Sequence, residues 1–395
     1  MPGWELLGKE EREAVNDIFD KSNGVLYRYG LDAIRNNIFR VNEFEKAIAE
    51  KLEVKHALFV SSGTAALKLA LLALGIKPGD EVITQSFTFI ATVEAILDIG
   101  AIPIITEIDE SLNMDPKDLE KKITNKTKAI IPVHMLGVSA KMDKILSIAK
   151  KFKIPVLEDS AQALGGTYKG KLLGTLGDIG IYSLDIGKVI TTGEGGVIVT
   201  NNEDLFRKCL EYSDHGHECN PNFPRGEDTR TRWGFNYKVT ELHGAIGLAQ
   251  LKKLDYILSK QKENKNKIKI AISDIPNIKF REIPDIEGDA GDTLVFFLEN
   301  EEKAKKFAQL LKEKGIGTKN MPDAIDWHYA GTWGHIFKDF PEYYKKNLEE
   351  VWPNSTFIVR RAVSIPIMVN MPEERIEKII SSVKEIFEDL NSLPQ

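Results

Sequence analysis

SSGTAALKLALLALGIKPGDEVITQSFTFIATVEAILDIGAIPII, residues 61–105, alternates between two hydrophobic periods. Residues 64–74 are rich in alanine and leucine and follow Ser61-Ser62-Gly63, the pattern of a helix with its N-terminal cap. Residues 81–84 have strand character, 91–99 form a second helical segment and 102–105 a second strand. Outward from this stretch, 43–52 carries helical spacing and 129–133 is a short apolar strand. Residues 141–151 are helical, and 156–158 form a strand that ends in acids. Helix and strand in turn predict βαβ units around a mainly parallel sheet covered on both faces. The expected class is α/β.

The chain has 395 residues, 42% hydrophobic and 8% aromatic, enough to bury a core and too apolar for a disordered chain. With 53 basic and 59 acidic side chains the net charge is −6, which leaves no global basic footprint for nucleic acid. Cys209 and Cys219 lie ten residues apart with no CxxC, so they support neither a disulfide scaffold nor a thiolate-only zinc site. Met1-Pro2-Gly3-Trp4-Glu5 lacks the basic stretch and apolar run of a secretory leader, and no apolar run approaches the roughly 20 residues of a membrane span. A cytoplasmic protein without nucleic-acid or membrane partners is expected.

After residue 201 the alternation loosens. Residues 213–236 form a polar connector rich in His, Pro, Gly and Arg, too long for a routine loop. A helix is predicted from 240 through 255 and onward over 260–272. Strand-like pieces at 279–283 and 293–297 and helices at 301–314 and 373–390 follow. This predicts an arm and large domain over 1–260 and a smaller α+β domain over 261–395.

Three polar clusters stand at the ends of predicted elements. Ser61-Ser62-Gly63-Thr64 feeds a helix N-terminus, where free N–H groups and the positive dipole end suit a phosphate. Glu158-Asp159-Ser160-Ala161-Gln162 places acids at a strand's carboxyl end, where α/β sheets bind ligands. Lys188 sits in an apolar, Gly-rich segment that leads into Thr191-Thr192-Gly193-Glu194-Gly195-Gly196. Burial lowers a lysine's pKa and makes its amine nucleophilic. Taken singly, each cluster also reads as a helix cap, an N-terminal aspartate or a snorkelling lysine. Together they supply what pyridoxal phosphate requires: a phosphate cup, an acid for the ring nitrogen and a lysine for a Schiff base.

These residues carry a family likeness. SSGTAALKLALLALGIKPGDEVITQSFTFIATVEAI, TKAIIPVHMLG, VLEDSAQALGGTYKGKLLGTLGDIGIYSLDIGKVITTGEGGVIVTNN and GFNYKVTELHGAIGLAQL occur in order between about residues 40 and 255. In them the chain resembles DegT-type sugar aminotransferases of the fold-type I pyridoxal phosphate class. The resemblance implies a three-layer large domain with a mainly parallel sheet and a small C-terminal α+β domain. It makes Lys188 the Schiff-base and proton-shuttling residue and Asp159 the partner of the pyridine nitrogen. Phe89 would stack on the ring, with Gln162 near its other face. Gly63, Thr64 and Ser183 would hold the phosphate. Asn236 would reach the phosphate of a neighbouring subunit's cofactor, which implies a homodimer with shared active sites. Some relatives carry histidine in place of the lysine and dehydrate their sugar; Lys188 favours amine transfer. Leu164 stands where many relatives have histidine. His134 is read as structural.

MPGWELLG (1–8), YRYG (27–30), IRNN (34–37), SDHGHE (213–218), FREIPDIEGD (280–289) and Trp327-His328-Tyr329 resemble, within this family, transaminases that form an 8-amino-3,8-dideoxy-manno-octulosonate. That likeness implies an 8-oxo-octulosonate acceptor for lipopolysaccharide and L-glutamate as donor. Both carry carboxylates, which arginine binds well. Arg28, Arg35, Arg225 and Arg230 are therefore candidate substrate residues, with His215, His217 and His328 for sugar hydroxyls. The alternatives are a nucleotide-linked keto-sugar aminotransferase (UDP-, GDP- or dTDP-linked) and a non-catalytic regulator that binds pyridoxal phosphate. No metal is expected, although His215, His217 and Cys219 are ligand types.

Overall fold

The computed structural model describes residues 3–220, 226–276, 278–341 and 343–392. Its first strands are β1 (His56–Val60), β2 (Glu81–Gln85), β3 (Ile102–Thr106), β4 (Thr127–Ile131) and β5 (Leu157–Asp159). A small hairpin of β6 (Thr167–Tyr168) and β7 (Lys171–Leu172) follows, then β8 (Ile179–Ser183) and β9 (Gly196–Thr200). β2 pairs in parallel with β3 and β4, and β5 in parallel with β8. β9 runs antiparallel between β8 and β1. Parallel bridges Ile130 to Val156 and Val133 to Asp159 join the two halves. The order is therefore β3-β2-β4-β5-β8-β9-β1, with β9 the reversed strand. The mainly parallel sheet expected from the alternation is the one observed.

The helices are α1 (Lys9–Lys21), α2 (Arg40–Lys51), α3 (Gly63–Ala73), α4 (Ala91–Asp98), α5 (Pro116–Lys122), α6 (Met142–Phe152) and α7 (Glu203–Ser213). α3 is apolar on most of its circumference because it lies between the sheet and other helices: Ala66, Leu69 and Leu71 are buried with Val82, Ile131 and Ile198. On the opposite face Phe44, Phe59, Tyr182 and Leu184 form a second core. Strands buried on both faces read as continuous apolar runs, which is why β4 and β9 lack alternation.

The helix expected over 240–272 is two helices, α8 (Glu241–Leu251) and α9 (Leu254–Ile272). At the break the Lys253 ammonium is held by Glu11 at 2.7 Å and by the Leu6 carbonyl at 2.7 Å, which ties the chain to the N-terminal arm. The expected division at 260/261 falls inside α9. Leu254, Ile257 and Leu258 pack into the core around Phe44, whereas Ile268 and Ile272 enter a separate core with Phe296, Phe307 and Val383. That second core belongs to the antiparallel sheet of β10 (Lys279–Phe280), β11 (Thr293–Phe297) and β12 (Ala362–Pro366), covered by α10 (Glu301–Glu313) and the C-terminal helix Glu373–Ser392. β10 is shorter than the strand expected there. Past Phe280 the Arg281 side chain turns inward, donating from Nε to the Ser111 carbonyl at 2.6 Å and from Nη2 to that of Met135 at 2.8 Å. Among the described residues no helix is long and apolar enough to cross a membrane.

Candidate active site

The carboxyl ends of β1, β5 and β8 open on one cavity of about 440 Å³, whose far wall is Lys319, Asn320 and His328 from the C-terminal part of the chain. Its floor follows from local sequence. Ser62 caps α3, its hydroxyl accepting from the Ala65 N–H at 3.0 Å and its carbonyl from that of Ala66 at 3.0 Å. The Gly63 and Thr64 N–H groups lie ahead of any carbonyl of their own helix and border the cavity. Ser183, the last residue of β8, lies so close that a Cβ on Gly63 would approach its Cβ to 2.9 Å. Only glycine leaves this cradle open.

At the other end stands Asp159, 3% exposed. Its carboxylate accepts from Thr92 Oγ1 at 2.7 Å and from the Ala161 N–H at 3.1 Å. Burial raises its pKa; those two bonds and the charge of Lys188 oppose the rise. Behind it His134 Nε2 lies 3.0 Å from Glu158, and its Nδ1 accepts the Ala140 N–H at 3.1 Å. Glu158 in turn accepts from the N–H groups of Gly174, Leu176 and Gly177. His134 is a strut under the site. The Lys188 amine is depressed in pKa by burial, against the pull of Asp185 and Asp159. Gln162 Oε1 takes the Leu136 N–H at 3.0 Å, which leaves its amide NH2 for the cavity. Phe89 forms part of the wall, its ring 5.4 Å from that of His328.

Residues 32–384 match the profile of the DegT/DnrJ/EryC1/StrS aminotransferase family. The chain belongs to that family. This aminotransferase is 34% identical, over 97% of both chains, to GDP-perosamine synthase of Escherichia coli O157:H7. It superposes on the aminotransferase from Psychrobacter cryohalolentis with a TM-score of 0.86 at 25% identity, covering 98% of this chain and 99% of that one. NtdA from Bacillus subtilis, solved with its cofactor PMP bound, superposes with a TM-score of 0.84 at 25% identity over 98% and 84%. The family is pyridoxal phosphate-dependent. The cavity fits that cofactor: a helix N-terminus with open N–H groups suits the phosphate, and a buried carboxylate that forms no ion pair among the described residues suits a protonated ring nitrogen.

This aminotransferase thus gathers Gly63, Thr64, Phe89, Asp159, Gln162, Ser183, Lys188 and His328 on one cavity wall. Arg28 and Arg35 are not on it, a correction to their expected substrate role. Arg28 is 3% exposed, its Nη2 2.6 Å from Glu45 and its Nη1 donating to the Phe59 carbonyl at 3.0 Å. Arg35 is fully buried, 3.0 Å from Glu241. Both cations are consumed by internal acids. His215, His217 and Arg230 lie on the loop that leaves α7 and do not line the cavity of their own chain. His217 Nδ1 is 2.7 Å from Asp228. Asn236 is exposed on the same loop, bridged to Asp214. Arg225 lies outside the described residues. Thr88, Thr92, Asp185, Glu194, Lys319 and Asn320 are wall residues the motif reading passed over. Thr92 stands in the first turn of α4 and Thr88 three residues before that helix; Lys319 carried no sequence signal.

Proposed function

We propose that this aminotransferase moves the amino group of L-glutamate to the keto group of a nucleotide-linked sugar, as a cytoplasmic homodimer. The observation that carries the reading is the likeness to GDP-perosamine synthase, which extends over 97% of both chains and so includes the small domain and the long loop. Bound pyridoxal phosphate supplies the electron sink. Lys188, held toward its neutral form by burial, takes the proton from the donor carbon and returns one to the acceptor carbon. Asp159 keeps a negative charge at the ring nitrogen, while Gly63, Thr64 and Ser183 orient the phosphate. Phe89 shields the reacting face from water.

His328 suits a sugar hydroxyl. Its Nδ1 lies 2.8 Å from the Ala324 carbonyl and donates to it, so Nε2 is left as an acceptor. Asn236 on its exposed loop is assigned to the cofactor phosphate of a second copy. Trp233 and Phe235 beside it are 61% and 52% exposed and would be covered there. His215, His217 and Arg230 on this loop would then face the second copy's acceptor.

A second reading, the 8-oxo-octulosonate acceptor, rests on the resemblance of the N-terminal arm, which packs against the lysine turn. The Gly3 N–H of the arm that carries that likeness donates to the Lys188 carbonyl at 2.8 Å. The relatives favour the nucleotide-linked sugar. A single-turnover assay of the aminated enzyme with GDP-, UDP- and dTDP-linked keto-sugars and with 8-oxo-octulosonate separates them. Rapid return of the aldehyde form of the cofactor with the octulosonate alone would overturn the nucleotide-sugar reading.

A further inference from the structure

The C-terminal part of the chain brings to the cavity a cation that the cofactor-binding residues leave unused. Lys319 follows α10, and its backbone N–H donates to the Ser364 carbonyl of β12 at 3.0 Å. Its ammonium is 2.6 Å from Asp292 and 2.9 Å from Thr293 Oγ1. The Thr293 hydroxyl donates to Asp292 in turn at 2.7 Å, which closes a ring of three. Burial opposes charge on both partners; Lys319 nevertheless holds the Asp292 carboxyl below its usual range. Asp292 is fully buried and fixes the ammonium in place; burial lowers the Lys319 pKa, against the pull of Asp292.

An ammonium has three N–H donors. Two are accounted for, and among the described residues the third has no protein acceptor, while the side chain lines the cavity with Lys188. The remaining charges of the wall are already matched or negative. The ring nitrogen answers to Asp159 and the phosphate to the start of α3, and Asp185 and Glu194 are acids suited to hydroxyls. A carboxylate entering this cavity with an amine beside it finds Lys319 as its counter-charge.

We propose that Lys319 binds a carboxylate of the amino donor, so that Asp292 and Thr293 act as positioning residues for that contact. The proposal rests on the aminotransferase reading but not on which sugar is the acceptor. A charge-assisted hydrogen bond to a preformed, dehydrated cation is worth roughly 10–100-fold in affinity.

The test compares the wild-type holoenzyme with Lys319→Gln and Lys319→Arg. Glutarate, a dicarboxylate with no amine to transfer, is titrated by calorimetry, and the glutamate and keto-sugar half-reactions are followed separately in single turnover. Lys319→Gln should weaken glutarate binding and raise the half-saturating glutamate by roughly 10–100-fold. Cofactor content and half-saturating keto-sugar should not change, and Lys319→Arg should recover most of the loss. Unchanged glutarate affinity in a folded Lys319→Gln holoenzyme would overturn the proposal. So would a rise confined to the keto-sugar step, which would hand Lys319 to an anionic group of the acceptor. If Lys319→Gln fails to fold, Asp292→Asn gives the same readout through a loosened lysine, with weaker glutarate binding expected. A wild type that shows the donor effects yet accepts none of the nucleotide-sugars would count against the acceptor reading alone.

Discussion

Thr92 Oγ1, in the first turn of α4, donates a 2.7 Å hydrogen bond to the Asp159 carboxylate at the end of β5. Thr88 Oγ1 lies 2.8 Å from the same hydroxyl, so a short relay fixes one face of the acid. A buried carboxylate that loses such a donor becomes easier to protonate, and a protonated Asp159 cannot balance a ring cation. Thr92→Val should weaken cofactor binding by about tenfold, measured by absorbance titration of the apoenzyme. Equal affinity in the two proteins would remove Thr92 from the site.

Gly63 carries the phosphate cradle by having no side chain. Its added Cβ would come within 2.9 Å of the Ser183 Cβ, and both residues sit on rigid elements. Gly63→Ala should push α3 and β8 apart and raise the cofactor dissociation constant by about tenfold or more, with a smaller change in melting temperature. A large loss of stability with normal cofactor affinity would mean that the glycine serves packing only.

Arg28 and Glu45 form a buried pair, so removing one partner strands a charge. Arg28→Met should cost about 3–5 kcal/mol in urea unfolding, and adding Glu45→Leu should restore part of it. Substrate half-saturation should stay near wild type at low temperature. If stability is untouched and the sugar step fails, Arg28 belongs to the substrate after all.

His328 titrates far below an ordinary histidine, with its pKa lowered to about 4 by burial and by Lys188 and Lys319, against the bond to Ala324. The unfolded chain binds this proton near pH 6.5 and the folded one does not, so the protein should lose stability as pH falls from about 6.5 to about 4. The loss attributable to this group is on the order of 3 kcal/mol. His328→Asn, whose amide can still donate to Ala324 and does not titrate, should flatten urea midpoints across that range. Parallel pH profiles of variant and wild type would contradict the assignment.

The cofactor platform was readable because its parts are local. Cap, strand end and lysine turn each occupy a few consecutive residues, and a parallel sheet brings successive strand ends to one edge. Arg28 and Arg35 show where that logic stops. Both stand in a segment whose composition looked polar, yet each is neutralised by an acid remote along the chain, Glu45 and Glu241. The loop bearing His215, His217 and Arg230 is long and polar in sequence, but sequence carries no measure of its distance from the chain's own cavity.

By itself the sequence determined the alternation that makes an α/β sheet, the family, and the lysine, aspartate and phosphate cup whose chemistry suits pyridoxal phosphate. Those are short-range patterns whose chemistry is written in adjacent residues. Tertiary structure alone decided which charges remain available. Arg28 and Arg35 are spent inside the fold, whereas Lys319, ordinary in sequence, is carried by the C-terminal half to the cavity wall and held there by Asp292. Whether a cation can meet a substrate depends on the partners packed around it, and long-range packing assigns those partners.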